Sequence, residues 1–191
     1  MQHRSFATQD CPIARSLERV GEWWSILILR DVFLGLRRFD QLQKSLEIAP
    51  NMLARRLGSL VAAGLLERSR YSEHPQRYEY LPTERGCDFR PVMWMLLAWG
   101  NKHFSPGGAA VVLLDKQTGA LAEPIVVDRV SGRPISDSEF RMAPGPAADE
   151  RTHHRYGGSA AQEASKPAQA EERPASRQTA RRFAGKKAKA G

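Results

Sequence analysis

Apolar residues fall into helical phrases from about Cys11 to Phe104, and their spacing predicts the order of the elements. In "GEWWSILILRDVFLG", Trp23, Ile26, Leu27, Leu29, Val32 and Phe33 make one apolar band wide enough for a buried helix, with Gly35 as its stop. "RRFDQLQKSL" follows with Phe39, Leu42 and Leu46 at i, i+3 and i+7, a short helix. After the link "EIA", Pro50 takes a first helical position, where its fixed φ suits the place. Leu53, Leu57, Leu60 and Val61 give this next helix its inward face, and it ends near Gly64. "LLERSRY" and "QRYEYLP" then alternate as two strands around "SEHP", which predicts a hairpin. "PTERG" opens a last helix with Thr83 as its N-cap. That helix carries Phe89, Val92, Met93, Leu96, Leu97 and Trp99, more apolar surface than a monomer would expose.

The pattern changes after Ser105. Two similar phrases, Asp115-Lys-Gln-Thr-Gly119 and Asp128-Arg-Val-Ser-Gly132, stand thirteen residues apart, each after an apolar run. They predict two small hairpins with glycine turns. From about Ala147 the chain is Ala, Gly, Gln, Pro, Arg and Lys with almost no large apolar residue, a composition that cannot offset chain entropy and predicts disorder. The expected domains are therefore 1–105, 106–146 and a basic tail over 147–191.

Charge adds a partner class. The 191 residues carry 29 Lys/Arg against 21 Asp/Glu, a net charge of +8 and a pI near 9.9, which points to an anionic partner. From Gly157 onward eight Lys/Arg face three Glu, so the tail holds five of those eight net charges. Two cysteines make no disulfide framework and no four-thiolate zinc site. "MQHRSFATQD" has no apolar core for a signal peptide, and no apolar run is long enough for a membrane span. A reduced, cytoplasmic protein is expected. Neither a glycine-rich phosphate loop, nor a Gly-x-Ser-x-Gly elbow, nor His/carboxylate metal spacing is present, so neither an enzyme nor a cofactor is expected. His153 and His154 read as solvated, not as metal ligands.

Helix, short link, helix and hairpin is the order of a winged helix-turn-helix, whose second helix enters the major groove and whose wing lies along the backbone. With Leu53, Leu57, Leu60 and Val61 turned inward, the opposite face shows Asn51, Arg55 and Ser59, with Met52 beside them and Arg56 on the flank. Arg and Asn carry the paired donors and acceptors that match guanine and adenine edges. Arg56 suits a phosphate or an intramolecular carboxylate. Pro50 and Asn51 bring a positive helix end to phosphate. Lys44 adds a backbone contact from the preceding helix, and Arg68, Arg70, His74 and Arg77 add a second basic patch on the wing. Without this context, Arg55 and Arg56 would merely solvate a helix face.

"CPIARSLERVGEWWSILILRDVFLGLRRFDQLQ", "IAPNMLARRLGSLVAAGLLERSRYSEHPQRYEYLPTERG" and "WMLLAWG" together resemble the HxlR-type transcriptional regulators, winged-helix proteins related in fold to MarR regulators. The resemblance spans roughly residues 11 to 104. It implies a cytoplasmic homodimer, associated with the nucleoid, on a roughly palindromic operator. It also implies a dimer interface from the segment around Ile13, Leu17 and Val20 and from the last helix with Trp94, Leu97 and Trp99. The family's recognition helix falls on Pro50 to about Ala63 and its wing on Glu67 to Leu81. One departure is Ala49, where relatives often carry a capping serine, a loss of roughly 1 kcal/mol. Cys11 matches the family's "CP" opening, which implies either a redox-sensing thiol or a neutral one. Some relatives bear a zinc ribbon where "KQTG" and "RVSG" stand; those turns lack cysteine and histidine, so no metal is expected.

The expected fold class is α+β, mainly helical: a winged helix-turn-helix with flanking dimerisation helices, a small β extension and a disordered basic tail. The expected function is sequence-specific binding of double-stranded DNA as a homodimer regulating transcription, with no membrane partner and with a small-molecule or electrophile effector left open, its identity unknown. Two rivals stay open at this point: a winged-helix protein-interaction module, and a nonspecific nucleic-acid binder driven by the tail.

Overall fold

The computed structural model describes residues 11–136 and 138–163. Its elements run α1 (Pro12–Val20), α2 (Trp23–Phe33), α3 (Phe39–Leu46), α4 (Pro50–Ala62), β1 (Leu66–Glu73), β2 (Gln76–Pro82), α5 (Glu84–Asp88), α6 (Arg90–Phe104) and α7 (Glu150–Glu163). The expected order of helices and hairpin is present.

The core sits where α2, α3 and α4 meet the start of β1. Ile28, Leu29 and Val32 of α2, Leu42 of α3, and Leu53, Leu57 and Leu60 of α4 are almost wholly withdrawn from water, with Leu66 at the entry to the wing. Burying a side chain of this size contributes about 1.5–3 kcal/mol. The α2 band differs from the expected one at its first turn. Trp23 is 73% exposed and stands edge-on to Trp24 at 6.3 Å, while Trp24 packs against the core. Ser25 and Asp31 are buried instead. Asp31 Oδ1 accepts a 2.8 Å hydrogen bond from Arg30 Nε, and its backbone oxygen accepts from Leu34 and Leu36, closing the helix before Gly35 at φ +96°. Val61 is only half-buried.

Between α3 and α4 the chain turns through Glu47, which holds the left-handed conformation at φ 51°, and drops Ile48 into the core. This tight turn sets α4 across α3. β1 and β2 pair antiparallel from Leu66↔Pro82 to Glu73↔Gln76, with an irregularity between Arg70 and Ser72. Arg38 bridges to Glu79 and Tyr80 N–H donates to Arg37 O at 2.8 Å, so the residues before α3 line the hairpin's β2 edge.

Thr83 caps as expected: its hydroxyl oxygen accepts from Gly86 N–H at 3.1 Å and donates to Gly64 O at 2.7 Å, pinning α5 to the end of α4. The expected single last helix is two, separated at Phe89. Pro91 has no N–H to give to the turn before it, so the hydrogen-bond ladder of α5 cannot run on into α6. Cys87, in α5, is exposed.

After α6 the two expected hairpins are reduced to two turns, each closed by one isolated bridge, Leu114↔Leu121 and Val127↔Pro134. Asp115 and Asp128 hold these turns through their carboxylates, which accept from the backbone N–H groups of Gln117 and Thr118, and of Val130 and Ser131. Their pKa values are lowered: at Asp115 by the Gln117 and Thr118 amides, at Asp128 by the Ser131 hydroxyl and then the Ser131 and Val130 amides. The disorder expected from Ala147 does not hold over α7. Asp149 accepts from Thr152 N–H at 2.7 Å and Glu150 lies in the first turn, local signals that start a helix without a core. The remainder of the expected tail, 164–191, lies outside the described residues.

Candidate nucleic-acid interface

α4 presents two unlike faces because leucine recurs at its positions 53, 57 and 60, and those three are buried. Opposite them Asn51, Arg55 and Ser59 are exposed and Met52 is half-buried, as the periodicity predicts. Arg55 Nη2 lies 3.2 Å from Met52 Sδ, a weak contact that leaves the other guanidinium donors available. Ser59 Oγ donates to Arg55 O at 3.1 Å, so its hydroxyl is partly spent on its own helix. Pro50 stands exposed at the first turn after Ala49, which caps nothing with its side chain. Asn51 Oδ1 accepts from Met52 N–H at 2.8 Å and so supplies part of the missing cap. Its amide group remains as a donor.

Arg56 is not on this face. Its Nη2 lies 2.7 Å from Glu22 Oε2 and its side chain is 16% exposed, so of the two partners left open by the sequence the structure selects the intramolecular carboxylate. Lys44 is exposed in the last turn of α3. On the wing, His74 and Arg77 are exposed around the tip, Arg70 pairs with Glu73 at 2.8 Å, and Arg68 stacks over the Tyr78 ring at 3.6 Å. Both arginine contacts are at the surface and worth little energy, so their role is to order long side chains. Two further cations were missed. Arg37 and Arg38 are exposed beside the wing, with Arg38 lying 4.5 Å over the Tyr71 ring. The adjacent arginines in "LRRFDQ" were a signal, yet their closeness to a strand far along the chain was not.

The residues expected at a dimer interface divide. Ile13 and Leu17 on α1 are 57% and 51% exposed, whereas Val20 is buried in the protomer's own core and is no surface residue. Trp94 and Trp99 are exposed and Leu97 is half-buried on α6, which has no buried residue at all. Cys11 is half-buried at the N-cap of α1, its backbone oxygen accepting from Arg15 N–H at 3.0 Å. Among the described residues no three His, Cys, Asp or Glu side chains gather to hold a metal, and no helix is long and apolar enough to cross a membrane.

A helix exposing Asn and Arg over a leucine core, entered by a tight turn and followed by an arginine-bearing hairpin, is the winged helix-turn-helix arrangement. The model of the HxlR-like helix-turn-helix matches residues 19–107. The chain belongs to that family. It is 38% identical over 135 residues to the uncharacterised HTH-type transcriptional regulator Rv3095 of Mycobacterium tuberculosis, covering 70% of this chain and 85% of the relative. Among solved structures it is similar to PA1374 of Pseudomonas aeruginosa, a proposed transcription factor, at 51% identity and a TM-score of 0.56, over 76% of this chain and 99% of that one. It is likewise similar to PA1607, also a proposed transcription factor, at 34% identity and a TM-score of 0.68, over 74% and 100% of the two chains. This HxlR-like protein is a transcriptional regulator with a helix-turn-helix DNA-binding fold; its family and relatives are regulators, not enzymes.

Proposed function

We propose that this HxlR-like protein acts in the cytoplasm, on the nucleoid, as a homodimer that recognises a roughly palindromic operator. The observation carrying this reading is the exposed Asn51–Arg55 face of α4, set directly over the buried Leu53, Leu57 and Leu60. A side chain that must reach a base edge needs a rigid base, and the leucine core provides it. Arg55 reads a guanine edge bidentately and Asn51, through its amide N–H, contacts an acceptor on a base or phosphate. Lys44, His74, Arg77 and Arg70 meet phosphates on either side, with Pro50, Met52 and Ser59 shaping the contact surface. Two such helices related by a two-fold axis read two half-sites about one helical turn apart. The partner copy meets the exposed apolar residues of α1 and α6, Ile13, Leu17, Trp94, Leu97 and Trp99.

Footprinting on the DNA upstream of its own coding sequence, at fixed salt, tests this reading. A discrete, two-fold symmetric protection that Arg55→Ala removes supports it. A smear that vanishes at moderate salt would instead assign the binding to nonspecific charge. The same footprint repeated with a mild thiol oxidant, against Cys11→Ser, tests whether Cys11 regulates it.

A further inference from the structure

The segment after α6 lacks a core. From residue 106 to residue 136 no side chain is buried, and each of its two turns is closed by a single bridge. Val111, Leu121 and Ile125 are each more than 60% exposed, and Val130 is 93% exposed. Runs of β-branched residues in this state lose the burial that would offset ordering them.

This bare surface is continuous with that of α6. Trp94, Leu97 and Ala98 on one side of α6 face Val112, Leu113 and Leu121 across an open groove of about 400 Å³. Asn101 Nδ2 donates to Val111 O at 2.9 Å and ties the segment to the helix. Val92, Leu96 and Trp99, spaced i, i+4 and i+7, form a second apolar stripe on the other side of α6, all three exposed. Trp94, Leu96, Trp99, Val112, Leu121 and Ile125 are each at least 40% exposed, and apolar side chains gathered on one open surface mark an interaction site.

The charge of the segment argues against DNA as its cover. Over residues 106–136 Lys116, Arg129 and Arg133 are balanced by Asp115, Glu123 and Asp128, whereas surfaces that meet DNA are strongly basic. The segment is also shared with relatives. The similarity to the mycobacterial regulator covers 70% of this chain, more than residues 1–107 can hold, so it runs on into the segment after α6. A surface that is apolar, self-continuous and present once per chain suits a second copy related by a two-fold axis, because each copy then supplies both sides of the contact.

We propose that residues 106–136 are an arm of the dimer interface, with Val112, Leu114, Leu121, Val126 and Val127 packed against a second copy of the chain. This rests on the homodimer reading and adds to it that the helices alone do not complete the interface. Sedimentation of the full chain over a dilution series, beside Val112→Asp/Val126→Asp/Val127→Asp and Trp99→Glu, tests it. All four positions are exposed in the protomer, so circular dichroism should be unchanged. The expected result is a dimer for the wild type and a dimer dissociation constant raised at least about tenfold in both variants. A monomeric wild type would overturn the homodimer reading and the arm with it. A dimeric wild type weakened by Trp99→Glu, yet untouched by the triple change, would overturn the arm alone. As a second readout, a photo-crosslinking residue at Leu121 should give a product of dimer mass, and a purely intrachain product would contradict the proposal.

Discussion

Arg56 Nη2 and Glu22 Oε2 are 2.7 Å apart, and this pair fastens the flank of α4 to the residue that starts α2. With the Arg56 side chain 16% exposed and the Glu22 side chain 40% exposed, the guanidinium is the more deeply held partner. Its Nε is buried without a hydrogen-bond partner, so loss of the carboxylate would remove the contact that offsets this burial. Glu22→Ala should lower stability by about 1–2 kcal/mol, between the surface and buried limits for ion pairs. Denaturant unfolding of the single variants and of the double variant with Arg56→Met would measure the coupling. Arg56→Ala should leave the salt dependence of operator binding unchanged, whereas Arg77→Ala should lower its slope by about one. An equal fall for both would return Arg56 to the phosphate contacts.

Arg55 should behave differently from Arg56 and from the wing arginines. Its donors are exposed beyond a weak Met52 contact, on the face opposite the leucines. Arg55→Ala should cost about 1–3 kcal/mol of binding and relax the preference at one base pair per half-site. Binding to a set of single-base operator variants reads this directly. Uniform weakening over all of them would make Arg55 a phosphate contact.

Gly86 is buried where α5 crosses the strand entry, and a Cβ there would collide with the backbone oxygen of Leu65. Backbone cannot yield as a flexible side chain can. Gly86→Ala should therefore destabilise the protein by about 2 kcal/mol or more, through overpacking and displacement of Thr83 from Gly64 O. Thermal melting beside the control Gly58→Ala, where nothing stands within 4 Å, isolates the clash. The control sits in an exposed part of α4 and should gain stability from the better helix former.

The two aspartate turns predict an acid-side transition confined to the segment after α6. The Asp115 and Asp128 carboxylates are held in their charged form, Asp115 chiefly by the Gln117 amide and Asp128 chiefly by the Ser131 hydroxyl, so their folded pKa values lie below the ordinary one. For a lowered carboxylate the contribution is complete above the unfolded pKa and is lost as pH falls through the folded value. The amide signals of Gln117, Thr118, Val130 and Ser131 should hold constant from neutral pH to about pH 4 and move below it. Asp115→Asn should remove the transition at the first turn and leave the second in place. Movement near neutral pH would contradict this assignment.

Much of the molecule was legible along the chain because it depends on local periodicity. Leucine at 53, 57 and 60 decides which side of α4 is inward and therefore that Asn51 and Arg55 face outward. Gly35 and Thr83 mark boundaries through the conformation or hydrogen bond each supplies by itself. What tertiary structure decided was partnership. Periodicity put Arg56 on a flank, but only the crossing of α4 with the head of α2 delivered Glu22 to it. Val20 looks like the rest of an amphipathic arm, and only the packing of that arm's end against α2 and α4 takes it into the core while Ile13 and Leu17 stay in water. Arg37 and Arg38 gained their place beside the wing from a bridge to Glu79, distant in sequence. The apolar runs after α6 read as hairpins because β-branched residues favour extended chain, yet a strand needs a neighbour and a covered face as well as propensity. Which side of a helix is apolar is a property of the residues themselves; what lies against that side depends on where the rest of the chain has been folded.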